Sequence, residues 1–144
     1  MEIRLARHED AEAIRQIYNP EAVGSTVTFD LRERTLAEQE EWLAERSGVF
    51  PVIVAVDDDG TVLGYASLSA YRSRPAYRTT VEDSVYISHE ARGRGIGRML
   101  LEALMDLARQ HGFHAGMARI VDGHEASIAL HQAVGFEIVG TERE

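Results

Sequence analysis

Three glycines at alternate positions separate a segment with the two-residue period of a β-strand from one with the period of an α-helix. Residues 79–87 alternate between two sets of side chains, and from Ile96 to Leu107 apolar side chains recur at steps of three and four residues. Between them stand Gly93, Gly95 and Gly97. Glycine lets a ligand approach the backbone closely, and the start of a helix presents unpaired N–H groups with partial positive charge. This succession favours a loop that binds a pyrophosphate.

Two common phosphate-binding motifs have a different spacing. A P-loop requires Gly-x-x-x-x-Gly-Lys-Ser/Thr, and no lysine lies nearby. A dinucleotide fingerprint requires Gly-x-Gly-x-x-Gly, whereas the spacing from Gly93 is Gly-x-Gly-x-Gly. Arg94 and Arg98 flank the glycines and would add charge-assisted hydrogen bonds to phosphate oxygens. A glycine-rich turn without a ligand is the alternative interpretation.

The rest of the chain alternates between helix and strand signals. Thr35 and Glu38 form a capping box, Asn19 and Pro20 are predicted to end the preceding helix, and residues 57–60 supply a hairpin turn. The predicted strands span about residues 2–6, 49–56, 61–71, 79–87, 114–121 and 136–142, and the predicted helices end near residues 19, 46, 112 and 134. The order β α α β β β α β α β, without repeats or a linker, predicts one mixed α/β domain over residues 1–144.

Charge and composition exclude several classes of partner. With 24 acidic against 15 basic residues, the chain has a formal charge of -9 and no basic stripe, so nucleic acid is not expected. The longest apolar stretch, residues 49–56, is far shorter than the ~20 residues that cross a bilayer, so no membrane is expected. The first residues lack the pattern of a signal peptide, which predicts a cytoplasmic protein.

The residue types that hold metals do not occur in the required arrangements. The chain has no cysteine, which excludes a thiolate zinc site and a cysteine nucleophile. Residues 57–60 do not start a calcium loop, because Val62 and Leu68 stand where glycine and glutamate are needed. Two histidine pairs lack helical metal-site spacing and a carboxylate ligand: His111 with His114, and His124 with His131. No metal is expected.

Arg92-x-x-Gly95-x-Gly97 after a strand resembles the acyl-CoA-binding motif of the GCN5-related N-acetyltransferase (GNAT) superfamily. Other segments are similar to its phosphinothricin and methionine sulfoximine acetyltransferase branch, and the similarity covers nearly the whole chain. These segments are Val81–Ile87, Ile17–Asn19, Thr26–Phe29 and Ala126–His131. The resemblance implies a central, mostly antiparallel sheet flanked by helices, acetyl-CoA as co-substrate, and transfer of its acetyl group to the amine of a small amino-acid-like acceptor.

The resemblance also implies which residues hold acetyl-CoA. Backbone groups of Val85, Tyr86 and Ile87 would pair with the pantetheine arm. The pyrophosphate would lie on the loop and first turn of the helix, formed by Gly93, Arg94, Gly95, Ile96, Gly97 and Arg98. His124 stands where the branch has an asparagine that contacts the cofactor; histidine can replace that hydrogen bond but caps a helix less well.

By position, the resemblance selects an acceptor pocket that contains Phe29, Arg72, Ser73, Arg74, Glu82, Asp83 and Ser84. An acceptor with an acid group needs arginine and its ammonium needs a carboxylate, which Arg72 and Glu82 would supply. Glu82 is the candidate general base. Asp83 is the weaker candidate, because alternation along a strand turns it to the opposite face. His131 occupies the position where relatives often have a proton-donating tyrosine. Because the chain has no cysteine to carry an acyl intermediate, direct transfer of the acetyl group within a ternary complex is expected.

Two alternatives stay open at this point. The motif equally permits acetylation of another small amine or of a protein N-terminus, or a non-catalytic acyl-CoA-binding module. Relatives continue beyond the strand predicted at residues 136–142 into a further strand, which predicts either truncation or completion of the sheet by another chain. A homodimer is typical of the branch that the sequence resembles.

Overall fold

The order of helices and strands follows the predicted order as far as the last helix. The computed structural model describes residues 1–24, 33–46, 50–70, 80–112, 115–117, 125–133 and 135. The strands are β1 (Glu2–Leu5), β2 (Val52–Val56), β3 (Val62–Ala70), β4 (Thr80–Ile87) and β5 (Ala115–Met117). The helices are α1 (Ala11–Gly24), α2 (Leu36–Ala44), α3 (Ile96–Gln110) and α4 (Glu125–Ala133). The strand predicted at residues 136–142 lies outside the described residues.

The described strands form a five-stranded sheet in the order β1-β2-β3-β4-β5. Neighbouring strands are antiparallel except for β4 and β5, which are parallel. The predicted hairpin joins β2 to β3, with Val54 opposite Tyr65, and Tyr65 is in turn opposite Tyr86 of β4. The described pairing of β4 with β5 runs only from Thr80 to Glu82. The mixed, mostly antiparallel α/β fold predicted from the sequence is therefore confirmed.

Alternation along the strands gives the sheet two apolar faces. On one face, Ala66 and Leu68 pack with Leu100 and Leu104 of α3. On the other face, the side chains of α1 and α2 cover the sheet. This second cluster contains Ile14, Ile17, Tyr18, Leu43, Val52, Val54 and Tyr65. Each face therefore buries one half of every central strand, as the period of two requires.

Helix α1 is longer than predicted. The sequence predicted that it ends at Asn19 and Pro20, but it continues to Gly24 with Pro20 inside it. Proline in a helix interior costs about 3 kcal/mol because it donates no hydrogen bond. Here Ile17 and Tyr18 are buried in the core. The Asn19 side chain accepts a hydrogen bond from the Arg34 backbone N–H at 2.9 Å and donates one to the Arg34 carbonyl oxygen at 3.1 Å. These contacts hold the helix together through the proline.

The signals at the other helix ends were predicted correctly. Thr35 accepts a hydrogen bond from the Glu38 amide and the Glu38 carboxylate accepts one from the Thr35 amide, which is the predicted capping box. Gly135, just after α4, has a φ of 107°, a conformation that glycine tolerates and other residues rarely adopt. Local chemistry therefore fixes where α2 begins and where α4 ends.

Candidate active site

The glycine loop between β4 and α3 has the backbone conformation that only glycine adopts easily. Gly93 and Gly95 have φ angles of 83° and 78°, and Gly95 is the residue before the first turn of α3. A Cβ at either position would meet no atom within 4 Å, so φ, and not crowding, requires glycine there. The first amides of α3 have no partner within the helix and face this loop. This is an open cradle with partial positive charge, suited to a pyrophosphate.

Gly97 is required for a different reason. It lies inside the first turn of α3, where a Cβ would approach Leu130 Cδ2 of α4 to 3.3 Å. The sequence predicted that Gly97 contacts a ligand, and that contact stays a prediction. The described contacts show a packing function, since the small residue lets α4 approach α3 closely.

The arginines of the loop fall into two groups. Arg92 pairs with the buried Glu21 of α1 at 2.5 Å, which ties the loop to the opposite layer of the fold. Arg94 is exposed, and Arg98 lies on the surface of α3 with its Nε 3.5 Å from Glu102. Arg94 and Arg98 therefore flank the loop on the surface, and their contact with a phosphate stays a prediction, while the motif residue Arg92 anchors the loop to α1.

Strand β4 presents backbone groups on the edge that faces away from β3. Val85, Tyr86 and Ile87 pair with β3 on one edge, opposite Ala66, Tyr65 and Gly64 respectively. Their other edge lies beyond the last described pairing with β5, which ends at Glu82 and Met117. An extended ligand with amide groups, such as a pantetheine arm, can add to such an edge. The predicted pantetheine residues thus lie between the glycine loop and the predicted catalytic residues.

Two predicted site residues meet in a way that the sequence did not indicate. His131 Nε2 of α4 lies 2.7 Å from Asp83 Oδ2 of β4, and the side chains are 7% and 1% exposed. The second oxygen, Asp83 Oδ1, is buried and has no hydrogen-bond partner among the described residues. Asp83, the weaker candidate base, is therefore the residue that holds His131.

Glu82 lies on the opposite face of β4 from this pair. It is half-buried and stands across from Ser69 of β3, in the same alternating set as Ser84 and Tyr86, whose ring stacks on Tyr65. The predicted alternation of Glu82 and Asp83 is therefore correct. Because the two candidate catalytic groups approach β4 from opposite faces, a reacting centre served by both would lie at the edge of β4 beyond the last described pairing with β5.

A cluster of arginine and aromatic side chains beside Glu82 was missed in the sequence. The Arg34 guanidinium lies 3.8 Å from the ring centre of Tyr18 and 5.1 Å from that of Trp42. The Arg46 guanidinium lies 4.5 Å from the Trp42 ring centre and donates to Ser69 Oγ at 3.4 Å. Trp42 is in α2 and Arg46 lies two residues beyond its end; because the sequence predicts a helix to about residue 46, their spacing of four residues is the signal that could have predicted the pair.

Several predicted site residues lie outside the described residues, and their positions stay predictions: Phe29, Arg72, Ser73, Arg74 and His124. Within the described ranges, no three histidine, aspartate or glutamate side chains come close enough to share a metal ion. The same ranges contain no helix with the length and apolar character needed to span a membrane.

Comparison with known proteins identifies proteins of the same shape and related sequence. A family model described as an acetyltransferase (GNAT) domain matches residues 3–144. An L-methionine sulfoximine/L-methionine sulfone acetyltransferase of Pseudomonas paraeruginosa is 41% identical over 139 residues, covering 96% of this chain and 81% of the relative.

Solved structures give the same result. A ribosomal-protein-alanine N-acetyltransferase from Brucella melitensis superimposes with a TM-score of 0.93 at 39% identity, covering 97% of this chain and 86% of that one. A GNAT superfamily phosphinothricin acetyltransferase from Sinorhizobium meliloti, in complex with AcCoA, has a TM-score of 0.92 at 41% identity. The match covers 96% of this chain and 76% of that one. The relatives share a reaction type and differ in the acceptor that their names state.

Proposed function

Because the chain belongs to the acetyltransferase (GNAT) domain family, we propose that it moves the acetyl group of acetyl-CoA to the amine of a small amino-acid-like acceptor. The observation that carries this proposal is the layout of β4. Beyond the last described pairing with β5, its outer edge runs from the glycine cradle at one end to Glu82 and the Asp83–His131 pair at the other. A long thioester ligand and an amine can meet at that end.

The residues present fit acetyl-CoA along its length. The first turn of α3, with Gly93, Gly95 and the nearby Arg94, suits the pyrophosphate, and the outer edge of Val85 to Ile87 suits the pantetheine amides. Acetyl-CoA supplies a thioester whose carbonyl carbon is attacked by the amine. Without any cysteine in the chain, we propose direct transfer within one ternary complex.

Two proton transfers have to be assigned. An amino-acid ammonium must lose a proton before its nitrogen can attack. We propose that Glu82 accepts this proton, directly or through one water. A positioned base contributes typically 10²- to 10⁴-fold. As the C–S bond breaks, the nitrogen of the new amide loses its second proton to solvent and the departing thiolate accepts a proton, for which we propose His131 as the donor. Asp83 acts through His131, because its carboxylate is hydrogen-bonded to the ring and fixes the orientation of the imidazole.

The acceptor class follows from the relatives' names and from the charge beside Glu82. The names include methionine sulfoximine and phosphinothricin, which are amino acids, and also an alanine of a ribosomal protein. The half-buried guanidinium groups of Arg34 and Arg46 lie on the Glu82 face of the sheet. Such charges favour an acceptor that carries an acid group. We therefore propose a small amino acid as the preferred acceptor and a protein N-terminus as the alternative acceptor.

The test is release of free thiol from acetyl-CoA, followed with a chromogenic disulfide in the presence of one acceptor at a time. L-methionine sulfoximine and phosphinothricin are expected to be acetylated with higher kcat/KM than polyamines, aminoglycosides or an alanine-initiated peptide. Preference for the peptide would favour the protein N-terminus. Binding of CoA without turnover of any amine would favour the acyl-CoA-binding module and contradict the enzyme.

Cytoplasmic location and homodimerisation, both expected from the sequence and its resemblance, stay predictions. Sedimentation velocity at micromolar concentration tests the second. A single species at the mass of one chain, 16.0 kDa, would contradict the dimer.

A further inference from the structure

Four side chains on the α1 and α2 side of the sheet form a cluster with more hydrogen-bond donors than acceptors. This donor cluster consists of Arg34, Gln39, Arg46 and Tyr65. Arg34 Nη1 donates to Gln39 Oε1 at 3.3 Å, which uses the only acceptor of the Gln39 side chain. Gln39 and Tyr65 are buried, whereas both arginines are half-buried and form its outer side.

Three atoms of the donor cluster have no hydrogen-bond partner among the described residues. They are Gln39 Nε2, Arg46 Nε and the hydroxyl oxygen of Tyr65. The two nitrogens only donate, and burial raises the pKa of Tyr65 well above its ordinary value of 10.0, so the hydroxyl keeps its proton. Buried donors without an acceptor are costly, and each one in a native structure calls for an explanation.

Among the described residues, the guanidinium groups of the donor cluster form no ion pair. No carboxylate of the described residues lies within 4.0 Å of either guanidinium, and both guanidinium groups face the same indole ring of Trp42. Burial, followed by the nearby charge of Arg34, lowers the pKa of Arg46 below its ordinary value. Two positive charges and three unused donors together match an anion with several acceptor oxygens.

The position of the donor cluster selects which anion. Arg46 Nη2 donates to Ser69 Oγ, and Ser69 is directly opposite Glu82 across the β3–β4 pair. Side chains at such a pair have Cβ atoms about 5 Å apart, so the cluster is one side-chain length from the proposed base. In an α-amino acid the carboxylate is bonded to the carbon that carries the amine. An amine placed at Glu82 therefore brings its own carboxylate to the donor cluster.

We propose that the donor cluster is the subsite for the α-carboxylate of the acceptor. This inference rests on the proposed function, since it assumes that the acceptor is an amino acid whose amine lies at Glu82. Arg34 and Arg46 supply the charge, and the Gln39 amide and the Tyr65 hydroxyl supply neutral donors. The cluster thereby selects amino acids over polyamines and other amines without an acid group.

Two substitutions test the subsite by different means. Arg46→Gln removes a charge, and Tyr65→Phe removes only the hydroxyl and keeps the stacked ring. The acceptors are L-methionine sulfoximine and its carboxamide, which lacks the charged carboxylate. We expect Arg46→Gln to raise the KM of the acid about 10- to 100-fold and that of the carboxamide less than about threefold, as for the loss of charge-assisted hydrogen bonds. The KM for acetyl-CoA should not change.

Tyr65→Phe provides a signature that a purely structural residue would not show. Because the hydroxyl has no described partner in the unliganded protein, its removal should leave the midpoint of thermal unfolding unchanged or raise it. The same change should raise the KM of the acid about three- to tenfold. Arg109→Gln is the matched control, because Arg109 is an exposed α3 arginine that pairs only with Asp106 among the described residues, and its kinetics should equal those of the unaltered protein.

Calorimetric titration of L-methionine sulfoximine into the CoA-saturated protein separates this inference from the proposed function. If the unaltered protein acetylates no amine, the proposed function fails, and the titration alone decides whether Arg46→Gln abolishes binding of the acid. If Arg46→Gln and Tyr65→Phe bind the acid as tightly as the unaltered protein, the subsite is wrong even when turnover is normal. An equal rise in KM for the acid and for the carboxamide would also overturn the proposed subsite.

Discussion

His131 on α4 and Asp83 on β4 share a hydrogen bond of 2.7 Å between Nε2 and Oδ2, buried where β4 separates from the described part of β5. The two residues are 48 positions apart in the chain, so the contact closes α4 onto the strand that carries the candidate base. A buried carboxylate is stable only when it is paired or hydrogen-bonded. The pair therefore fixes the imidazole and holds α4 against β4.

Asp83→Asn keeps the shape of the side chain and removes its charge. We expect kcat to fall by about 10-fold or more, because the amide does not hold the imidazole by the same charge-assisted hydrogen bond, while the KM for acetyl-CoA stays within about twofold. His131→Gln should lower kcat to a similar degree. If the two act as one unit, the double variant is scarcely slower than either single variant. Multiplicative losses in the double variant would show that they act independently.

Glu82→Gln tests the proposed base. The amide cannot accept a proton at neutral pH, so we expect kcat to fall about 10²- to 10⁴-fold with little change in the affinity for CoA. Glu41→Gln, on the exposed surface of α2, is the control and should leave kcat unchanged. Turnover that survives Glu82→Gln would remove this residue as the base and direct attention to Asp83.

Gly95→Ala tests the cradle against a matched glycine. Gly95 and Gly112 have nearly the same positive φ, 78° and 82°, and a Cβ at either position would meet no atom within 4 Å. Alanine at either position should therefore cost about 1–2 kcal/mol of unfolding free energy. Only Gly95→Ala should also weaken CoA binding, measured by calorimetry. Equal CoA affinity in the two variants would contradict a ligand-binding function for the loop.

Asp10 gives a pH-dependent prediction remote from the site. Burial acts to raise its pKa, but the hydrogen bonds from Arg4 and the Arg7 amide lower it below the ordinary value of 3.8. A carboxyl whose pKa is lower in the folded state stabilises the fold above its unfolded pKa, and this contribution disappears as pH falls through the folded pKa. Asp10→Asn should therefore destabilise the protein at pH 7, by urea unfolding, and the difference should shrink below about pH 3.8. A difference independent of pH would refute this.

Local signals in the sequence predicted most of the elements because they are satisfied within a few residues. The capping box at Thr35, the hairpin turn at residues 57–60 and the helix end at Gly135 each depend on side chains or φ angles in one short segment. The end of α1 was wrong for the opposite reason. Proline is a local signal against a helix, but Tyr18 and Asn19 are held by distant residues that the local pattern does not contain.

The sequence by itself determined the fold class, the glycine cradle before α3 and the turn of Glu82 and Asp83 to opposite faces of β4, because each follows from the periodicity or from backbone chemistry of neighbouring residues. Only the tertiary structure decided that Asp83 holds His131, that Arg92 anchors the cradle to Glu21, and that Arg34 and Arg46 meet over Trp42. Those contacts join residues from separate elements. Their partners are chosen by how the helices pack on the sheet, and no period along the chain encodes that.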